Sequence, residues 1–358
     1  MFRSRESLSA DVKPIIGWDI GGAHLKAVQL DASGTPVQVL QLPCPLWRGL
    51  NQLEIAIKNV LQTFKIEPSE ALHAITMTGE LVDLFDNRHV GVCEITKVAG
   101  NLLGENIWFY AADTGEIERQ PNFVRQYDVH RFTSLIASAN WHASASALAI
   151  HVQDALLVDI GSTTTDIITI KSGKVICSGL SDAYRLATDS LVYTGVVRTP
   201  IMALAQKLPF EDGEINVAAE YFATMADVYR LTGELTQDDA ETADGKFKTQ
   251  LESARRLARM IGHDVDKSLT KWIKLAFACK SLQMSQIKTA VLKHLKPNMT
   301  IIGAGAGSFL VKQIAADLNC TYQPISMRFT KDINVAMQQD LEVCFPAYAV
   351  AYLLRQHA

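Results

Sequence analysis

One pattern occurs twice in this chain and limits its fold more than any other feature. An apolar run ends in an aspartate and small residues, and a second apolar run begins at once. The segment Asp19-Ile20-Gly21-Gly22 returns as Asp159-Ile160-Gly161-Ser162, 140 positions later. Each copy is typical of a strand, a tight turn and a second strand.

A Ser-Gly turn and a further apolar segment follow each copy, at Ser33-Gly34 and at Ser172-Gly173. Each copy therefore predicts a meander of three strands. Residues 50–64 have apolar positions at helical spacing, and residues 71–78 predict another strand. Because strands and helices are mixed, we predict an α/β fold with two similar domains that face each other.

The composition excludes several classes of protein. The chain has 358 residues, 48% of them hydrophobic, which is enough for roughly two packed domains. The formal net charge of −4 argues against a protein that wraps nucleic acid. No apolar run approaches the roughly 20 residues that span a bilayer. Residues 1–14 are polar and predict a flexible tail, without the apolar centre of a secretory signal.

Cysteine and histidine spacing gives a second set of exclusions. The six cysteines form no Cys-x-x-Cys pair, and the nine histidines form no short metal-binding motif. We therefore expect reduced thiols, a cytoplasmic location and no zinc site.

The two turns have the chemistry of phosphate-binding loops. Small residues after a strand let backbone N–H groups approach a phosphate closely, and hydroxyl groups add donors. The candidate donors are Gly21, Gly22, Gly161, Ser162, Thr163, Thr164 and Thr165. Asp19 and Asp159 end their strands, where a carboxylate can hold Mg²⁺ or its waters. The alternative for either turn alone is an ordinary hairpin with an aspartate at its corner.

A third glycine-rich segment follows the apolar run at residues 299–302 and precedes a predicted helix from Phe309. It contains Gly303, Gly305 and Gly307. A dinucleotide fingerprint is one interpretation, but the spacing departs from Gly-x-Gly-x-x-Gly/Ala. We favour a third loop that faces a phosphate or nucleoside at a helix N-terminus.

These segments together resemble the actin, sugar-kinase and Hsp70 superfamily, and most closely its hydantoinase/oxoprolinase-like branch. The matching residues are Asp19–Lys26, Met77–Asp83, Asp159–Asp166, Tyr193–Pro200 and Gly303–Gly305. The resemblance implies two ribonuclease-H-like domains with mixed sheets, flanking helices and a central interdomain cleft. We expect domains at 15–150 and 151–358, with a polar and helical insertion at about 210–270 and a C-terminal helix that packs on the first domain.

Within that branch, the chain is similar to tetrahydromethanopterin-linked one-carbon transfer pathway proteins. Their archaeal members are methanofuran-biosynthesis synthases. The resemblance implies that an aminomethyl-furanmethyl diphosphate condenses with the phenol of γ-glutamyltyramine, or of tyramine or tyrosine, to form an ether and release diphosphate. It implies Mg²⁺ as cofactor and no requirement for ATP. The expected partners are these small molecules, without nucleic acid or membrane, and a homodimer is compatible with the sequence.

Other charged residues in the motifs are candidates with ordinary alternatives. Lys26 could pair with a phosphate or be a solvated strand lysine. Asp166, at the equivalent place in the second copy, could act as a base, assist a metal or be a hairpin-edge carboxylate. His24 could donate to a phosphate, or be a packed or solvent-facing histidine.

Three residues are candidates for binding the rest of a substrate. Glu80 and Asp83 are spaced to share one helix face, where they could meet an amine or a metal, or form the acidic first turn of a helix. Arg198 could clamp a phosphate or carboxylate, or form an ordinary ion pair.

Two other functions remain open from the sequence. An ATP-dependent small-molecule kinase would keep the Asp-Gly hairpins and add an adenine pocket near residues 303–307. A non-catalytic nucleotide-binding scaffold would bind a nucleotide without turnover. Turnover of ATP separates the kinase from the ether-forming transferase.

Overall fold

The computed structural model describes residues 13–113, 122–235, 241–266, 268–329 and 333–357. The predicted flexible tail at 1–14 therefore lies outside the described residues except for Lys13 and Pro14, and residues 236–240 and 267 of the predicted insertion lie outside them too. The chain divides into two compact units. Unit 1 is Met1–Ala147 with Asp332–Ala358, and unit 2 is Leu148–Lys331.

The described residues form both strands and helices, and they are interspersed along the chain. The strands are β1 (Ile15–Ile20), β2 (His24–Leu30), β3 (Pro36–Pro43), β4 (Leu72–Met77), β5 (Ile107–Tyr110), β6 (Phe123–Arg125), β7 (Ala155–Ile160), β8 (Thr165–Lys171), β9 (Lys174–Ile176), β10 (Leu191–Val192), β11 (Lys207–Phe210), β12 (Gly213–Asn216), β13 (Thr300–Ala304) and β14 (Tyr322–Pro324). The α-helices are α1 (Asn51–Phe64), α2 (Arg88–Leu103), α3 (Thr133–Ile136), α4 (Asn140–Ala149), α5 (Asp182–Ala187), α6 (Ile201–Leu204), α7 (Met225–Thr232), α8 (Gln250–Arg259), α9 (Thr270–His294), α10 (Ser308–Asp317), α11 (Val335–Val343) and α12 (Phe345–His357). Short 3₁₀ turns lie at Leu46–Arg48, Pro68–Glu70, Gly79–Leu81, Gln126–Arg131 and Ile325–Arg328.

Unit 1 contains a six-stranded mixed sheet in the order β3-β2-β1-β4-β5-β6. The first three strands form an antiparallel meander, and β4 lies parallel to β1. Every residue of β1 is buried, which fits a central strand covered on both faces. Helix α12 from the end of the chain packs on β1, β2 and β4, so the C-terminal segment belongs to unit 1.

Unit 2 repeats the central part of this strand arrangement with its own residues. Its sheet runs β10-β8-β7-β13-β14, and β9 also pairs with β8. Strands β7, β8 and β9 form the antiparallel meander, and β13 lies parallel to β7. Both units thus place three antiparallel strands beside parallel ones and flank them with helices. The prediction of an α/β fold with two ribonuclease-H-like halves is confirmed.

A helical layer of unit 2 contains a buried ionic cluster within the region predicted as an insertion. Asp227 on α7 accepts hydrogen bonds from Arg256 Nε at 2.8 Å, Ser253 Oγ at 2.8 Å and Arg230 Nη1 at 3.1 Å. Arg256 is fully buried and also donates to Asp244 Oδ1 at 3.0 Å. Because each buried charge has an opposite partner, this polar sequence can pack into the core. No helix among the described residues is long and apolar enough to cross a bilayer.

The packing of α12 on β1 depends on the absence of a side chain at Gly17. A Cβ there would lie 1.8 Å from the carbonyl oxygen of Ala347. We expect Gly17→Ala to destabilise the protein by about 1–3 kcal/mol, because backbone must move to make room. Urea unfolding measures the loss, with Gly213→Ala as control because a Cβ at Gly213 meets nothing within 4 Å. Equal unfolding midpoints for the two variants would contradict this account of the interface.

Stability should also depend on pH through His73, which is fully buried on β4. Trp18 Nε1 donates to its Nδ1 at 3.2 Å, so its Nε2 carries the proton and donates to the Pro68 carbonyl oxygen at 2.9 Å. Burial lowers the pKa of His73 from 6.5 to about 4, against the smaller opposing effect of the Pro68 hydrogen bond.

Below pH 6.5 the unfolded chain gains a proton at His73 that the folded protein does not accept. The contribution of His73 is therefore complete above pH 6.5 and declines as the pH falls toward 4, by about 3 kcal/mol in total. Urea unfolding at several pH values measures this slope. His73→Gln should lose it, and an unchanged slope in that variant would assign the acid sensitivity to other groups.

Candidate functional site

The two repeated turns have the same backbone geometry. The Gly21 N–H donates to the carbonyl oxygen of His24 at 3.0 Å in unit 1. The Gly161 N–H donates to the carbonyl oxygen of Thr164 at 2.9 Å in unit 2. Donor and acceptor are offset by 140 positions in both cases, so the repeat in sequence is also a repeat in structure. Each turn lies at the carboxyl end of a central strand, β1 or β7.

The first turn is held from the side by the segment that follows β3. The Cys44 N–H donates to the Ala23 carbonyl oxygen at 2.8 Å, and the Leu46 N–H donates to the Gly22 carbonyl oxygen at 3.0 Å. A Cβ at Gly22 would lie 2.8 Å from a methyl group of Val82. The small residues in this turn therefore permit close packing as well as the close approach of a ligand.

An ion pair lies beside the first turn. Asp19 and Lys26 are opposite each other on β1 and β2, with Lys26 Nζ 3.4 Å from Asp19 Oδ2. Asp19 is only 3% exposed, whereas the Lys26 side chain is 24% exposed. The carboxylate thus holds an ammonium group that is partly accessible to solvent. His24, at the end of the turn, is half-buried.

The second turn has a different charge arrangement at the equivalent positions. Asp159 is opposite Asp166 on β7 and β8, and Asp159 is half-buried. Arg185, 3% exposed, donates to Asp166 Oδ1 at 2.5 Å and to the Ser190 carbonyl oxygen at 3.0 Å. The second turn therefore has two aspartates and a buried arginine beside it, whereas the first turn has an aspartate and a lysine.

Two loops of unit 2 pack directly against the second turn. A Cβ at Gly195 would lie 2.5 Å from Ser162 C and Thr163 N. The N–H groups of Val197 and Arg198 both donate to the Ser162 carbonyl oxygen, at 3.0 and 2.8 Å. The segment 195–198 therefore fixes one side of the turn.

The glycine-rich loop after β13 fixes the other side. The Gly307 N–H donates to the Ile160 carbonyl oxygen at 2.8 Å. Gly305 has a φ of +79°, and a Cβ there would lie 2.3 Å from Asp159 Oδ1. Gly303 lies within β13 itself, where a Cβ would press on the ring of Tyr322 at 2.7 Å. The loop thus places the backbone of Gly305 directly against the Asp159 carboxylate.

The hydroxyl groups of the second turn are divided between two environments. Ser162 Oγ and Thr163 Oγ1 are 3.3 Å apart, and Ser162, Thr163 and Thr164 are all half-buried. Thr165 is fully buried, and its Oγ1 donates to the Thr194 carbonyl oxygen at 2.7 Å. The Thr165 hydroxyl therefore serves an internal hydrogen bond that ties β8 to the segment after β10.

Glu80 and Asp83 do not share a helix face, so that prediction is wrong. The 3₁₀ turn at Gly79–Leu81 ends before Val82, whose backbone is extended, so Asp83 lies outside the turn that contains Glu80. Glu80 is buried and accepts a hydrogen bond from Ser138 Oγ at 2.7 Å, while Asp83 is exposed. Ser138 has a φ of +50°, so Glu80 holds a residue with an unfavourable backbone conformation.

Sequence reasoning missed a buried polar chain behind the second turn. Tyr229 Oη donates to Gln283 Oε1, and Gln283 Nε2 donates to Thr194 Oγ1 at 2.7 Å and to the Gly195 carbonyl oxygen at 2.9 Å. Gln283 and Tyr229 are fully buried. Burial raises the pKa of Tyr229 well above its usual range, so its hydroxyl stays protonated and can donate. The only signal in the sequence was a glutamine within the long helical pattern that becomes α9.

The residues around Asp159 fit a metal that is completed by substrate. Among the described residues, no group of three or more His, Cys, Asp or Glu side chains could hold a metal ion. Mg²⁺ commonly binds through one or two carboxylates, waters and substrate phosphates rather than through a full protein cage. Asp159 supplies such a carboxylate, and the backbone at Gly305 approaches it closely enough to fix its position.

The position of Asp159 should depend on Gly305. Gly305→Ala is expected to cost about 1–3 kcal/mol more than Gly262→Ala, because only the first adds a clash with Asp159 and Ile160. Gly262 is a matched control, since its φ is +70° and a Cβ there meets nothing within 4 Å. Urea unfolding of both variants measures the difference. Equal losses would mean that backbone strain alone explains the effect.

Comparisons with known proteins identify the family. Residues 73–337 match the sequence profile of the Hydantoinase/oxoprolinase family. The chain is 30% identical over 354 residues to a curated protein of Methanocaldococcus jannaschii named "(4-{4-[2-(gamma-L-glutamylamino)ethyl]phenoxymethyl}furan-2-yl)methanamine synthase", covering 96% of this chain and 98% of that protein. A protein of the same name from Methanococcus vannielii is 30% identical over 214 residues, covering 57% of this chain and 91% of its own length.

A solved structure extends the comparison at the level of fold. The nucleotide-free structure of acetone carboxylase has a TM-score of 0.52 with this chain at 10% sequence identity. The match covers 95% of this chain and 70% of the acetone carboxylase chain. At that identity the likeness concerns the fold alone. The profile match and the full-length relative show that the chain belongs to the hydantoinase/oxoprolinase family.

Proposed function

We propose that the protein is a transferase of methanofuran or methylofuran biosynthesis, which joins a furanmethyl group to a phenol through an ether. The observation that carries the proposal is the 30% identity over 96% of the chain to a synthase whose product name contains a phenoxymethyl-furan unit. Each repeated turn has small residues and backbone N–H groups of the kind that bind phosphates, and the donor substrate of such a reaction carries a diphosphate. Tyramine, tyrosine or their γ-glutamyl forms supply the phenol.

The reaction breaks one bond and forms another at the same carbon. The bond from the furan methylene to the diphosphate oxygen breaks, and the diphosphate leaves with its electron pair. The phenol oxygen forms the new bond to the methylene and loses its proton to a base. The electron-rich furan ring stabilises positive charge on the methylene as the diphosphate departs. The barrier therefore depends on neutralising the leaving group and positioning the phenol.

In unit 2 the second turn would bind the diphosphate. Its backbone is fixed by Gly195 on one side and by Gly307 on the other, so its N–H groups need no reorganisation when a phosphate arrives. Asp159 would hold Mg²⁺, which supplies charge neutralisation for the leaving diphosphate.

In unit 1 the ion pair at the first turn would have a different task. Asp19 orients Lys26, and the partly exposed ammonium group could donate to a phosphate oxygen. Because Lys26 already neutralises Asp19, we assign the metal to Asp159 and the orientation of Lys26 to Asp19. Asp166 is held by Arg185 and would support Asp159 from the neighbouring strand.

A mass-spectrometric assay of the purified protein with Mg²⁺ tests the proposal. The furanmethyl diphosphate is supplied with each phenol in turn, and ATP with the corresponding furan alcohol is run in parallel. We expect a condensed ether and free diphosphate without ATP. Formation of ADP and a phosphorylated alcohol would instead identify a kinase and reject the transferase.

A pair of variants tests the assignment of the metal to Asp159. Asp159→Asn should reduce ether formation by at least roughly 100-fold. The variant lacks the carboxylate that would hold Mg²⁺, and Mg²⁺ would neutralise the leaving diphosphate. Asp212→Asn removes the same charge from an exposed position in the turn between β11 and β12, and should retain full activity. Full activity of a folded Asp159→Asn protein would remove Asp159 from the mechanism.

A further inference from the structure

We propose that Gln283 is a positioning residue for the diphosphate site, and that Tyr229 sets the orientation of its side-chain amide. Gln283 would hold the second turn, residues 161–164, in the conformation that binds phosphate, without touching the ligand itself. This inference rests on the proposed function, in which the N–H groups of that turn bind the diphosphate. Both side chains are fully buried, on helices α9 and α7.

The second turn has N–H groups that its own fold does not use. The Gly161 N–H donates to the Thr164 carbonyl oxygen at 2.9 Å and closes the turn. Among the described residues, the N–H groups of Ser162, Thr163 and Thr164 donate to no backbone carbonyl group. Successive N–H groups bind an anion well when the backbone already holds them in place. Whatever supports this backbone therefore controls the affinity of the turn for phosphate.

The segment that begins at Gly195 supports the turn directly. A Cβ at Gly195 would lie 2.5 Å from the Thr163 nitrogen, so the two backbones are in close contact. The Val196 N–H donates to the Gly161 carbonyl oxygen at 3.0 Å. Because these contacts involve backbone atoms, a shift of this segment would also shift the turn.

Gln283 fastens that segment to the long helix α9. Its Nε2 donates to Thr194 Oγ1 at 2.7 Å and to the Gly195 carbonyl oxygen at 2.9 Å. An amide nitrogen carries two hydrogens, so both are used inside the protein. Since the side chain is also fully buried, Gln283 can affect a bound ligand only through the turn.

Tyr229 determines which end of the amide faces the segment. Its hydroxyl donates to Gln283 Oε1, which leaves Nε2 directed at Thr194 and Gly195. The tyrosine ring is itself held in place by an edge-to-face contact with Phe309 on α10, with 5.3 Å between the ring centroids. A fixed hydroxyl on one side and two fixed acceptors on the other allow the amide a single orientation.

Binding of inorganic diphosphate with Mg²⁺, measured by calorimetry, tests the positioning role without turnover. Gln283→Met keeps a side chain of similar volume but loses both donors. It should raise the Kd for diphosphate roughly 10-fold, the effect of two lost hydrogen bonds. Tyr229→Phe should have a smaller effect, because Gln283 keeps both donors. In the ether-forming assay, Gln283→Met should raise the KM for the furanmethyl diphosphate, and the KM for the phenol should change by less than about twofold.

A double variant separates positioning from stability. Gln283→Met leaves the buried Tyr229 hydroxyl without its acceptor, which destabilises the fold, and Tyr229→Phe removes that hydroxyl. Urea unfolding of the double variant should therefore recover much of the stability that Gln283→Met loses. Its Kd for diphosphate should stay raised, because the segment at Gly195 is still released. Recovery of diphosphate binding together with stability would overturn the inference.

Ser253→Ala is the matched control. Ser253 is also fully buried in unit 2, where its Oγ donates to Asp227 Oδ1 at 2.8 Å in the ionic cluster. The loss of this hydrogen bond should lower the unfolding midpoint and leave the Kd for diphosphate unchanged. Equal weakening of diphosphate binding by Ser253→Ala and Gln283→Met would also overturn the inference, because any buried hydrogen bond would then serve.

Comparison of binding with ether formation separates this inference from the proposed function. Weaker diphosphate binding by Gln283→Met, with no ether formed by the wild-type protein from any phenol, would support the positioning role and reject the transferase. Ether formation by Gln283→Met with an unchanged KM for the furanmethyl diphosphate would support the transferase and reject the positioning role. A wild-type protein that does not bind diphosphate would also reject the positioning role.

Discussion

The close contact between the glycine-rich loop and the end of β7 is the constraint on which the candidate site depends. The Gly307 N–H binds the Ile160 carbonyl oxygen, and Gly305 leaves no room for a Cβ beside the Asp159 carboxylate. Backbone contacts of this kind are stiff, because they involve no rotatable side chain. The turn that follows β7 is therefore positioned before any ligand binds, which is the condition for electrostatic stabilisation of a leaving group.

The second constraint comes from the opposite side of the same turn. Gln283 connects α9 to Gly195 through a fully buried hydrogen-bond chain that begins at Tyr229. Every polar group in this chain has a partner, so burial costs little and the geometry becomes unique. This chain ties helix α9 to the segment that packs against the second turn, although 88 positions separate Gln283 from Gly195 in the sequence.

The repeat in the sequence was sufficient to predict much of this architecture. The 140-residue offset predicted that Asp159 ends a strand and that Gly161 lies in the turn after it, and the structure has both features. A strand followed by a tight turn is a local feature that short-range residue preferences specify. The three-stranded meanders and the α/β class followed from the same pattern. The backbone hydrogen bond within each turn is the structural counterpart of that repeat.

What the sequence did not reveal depends on partners that are far apart along the chain. Arg185 lies 19 positions after Asp166, with nothing local to mark the pair, and the bond between Ser138 and Glu80 spans 58 positions. The interpretation of Glu80 and Asp83 failed for a related reason. Their spacing satisfied a helical rule, but the 3₁₀ turn ends at Leu81, so Asp83 lies beyond the residues to which that rule applies.

Lys26 and Asp166 occupy equivalent positions in the two copies and give two otherwise similar turns different charged neighbours. A lysine opposite Asp19 forms an ion pair whose ammonium group is partly exposed, whereas the aspartate opposite Asp159 is held by the buried Arg185. Charges of opposite sign attract and charges of like sign repel, so the residue on the second strand sets the local field at each turn. Each copy of the motif therefore keeps the same backbone hydrogen bond within its turn while a single strand residue changes the charge beside it.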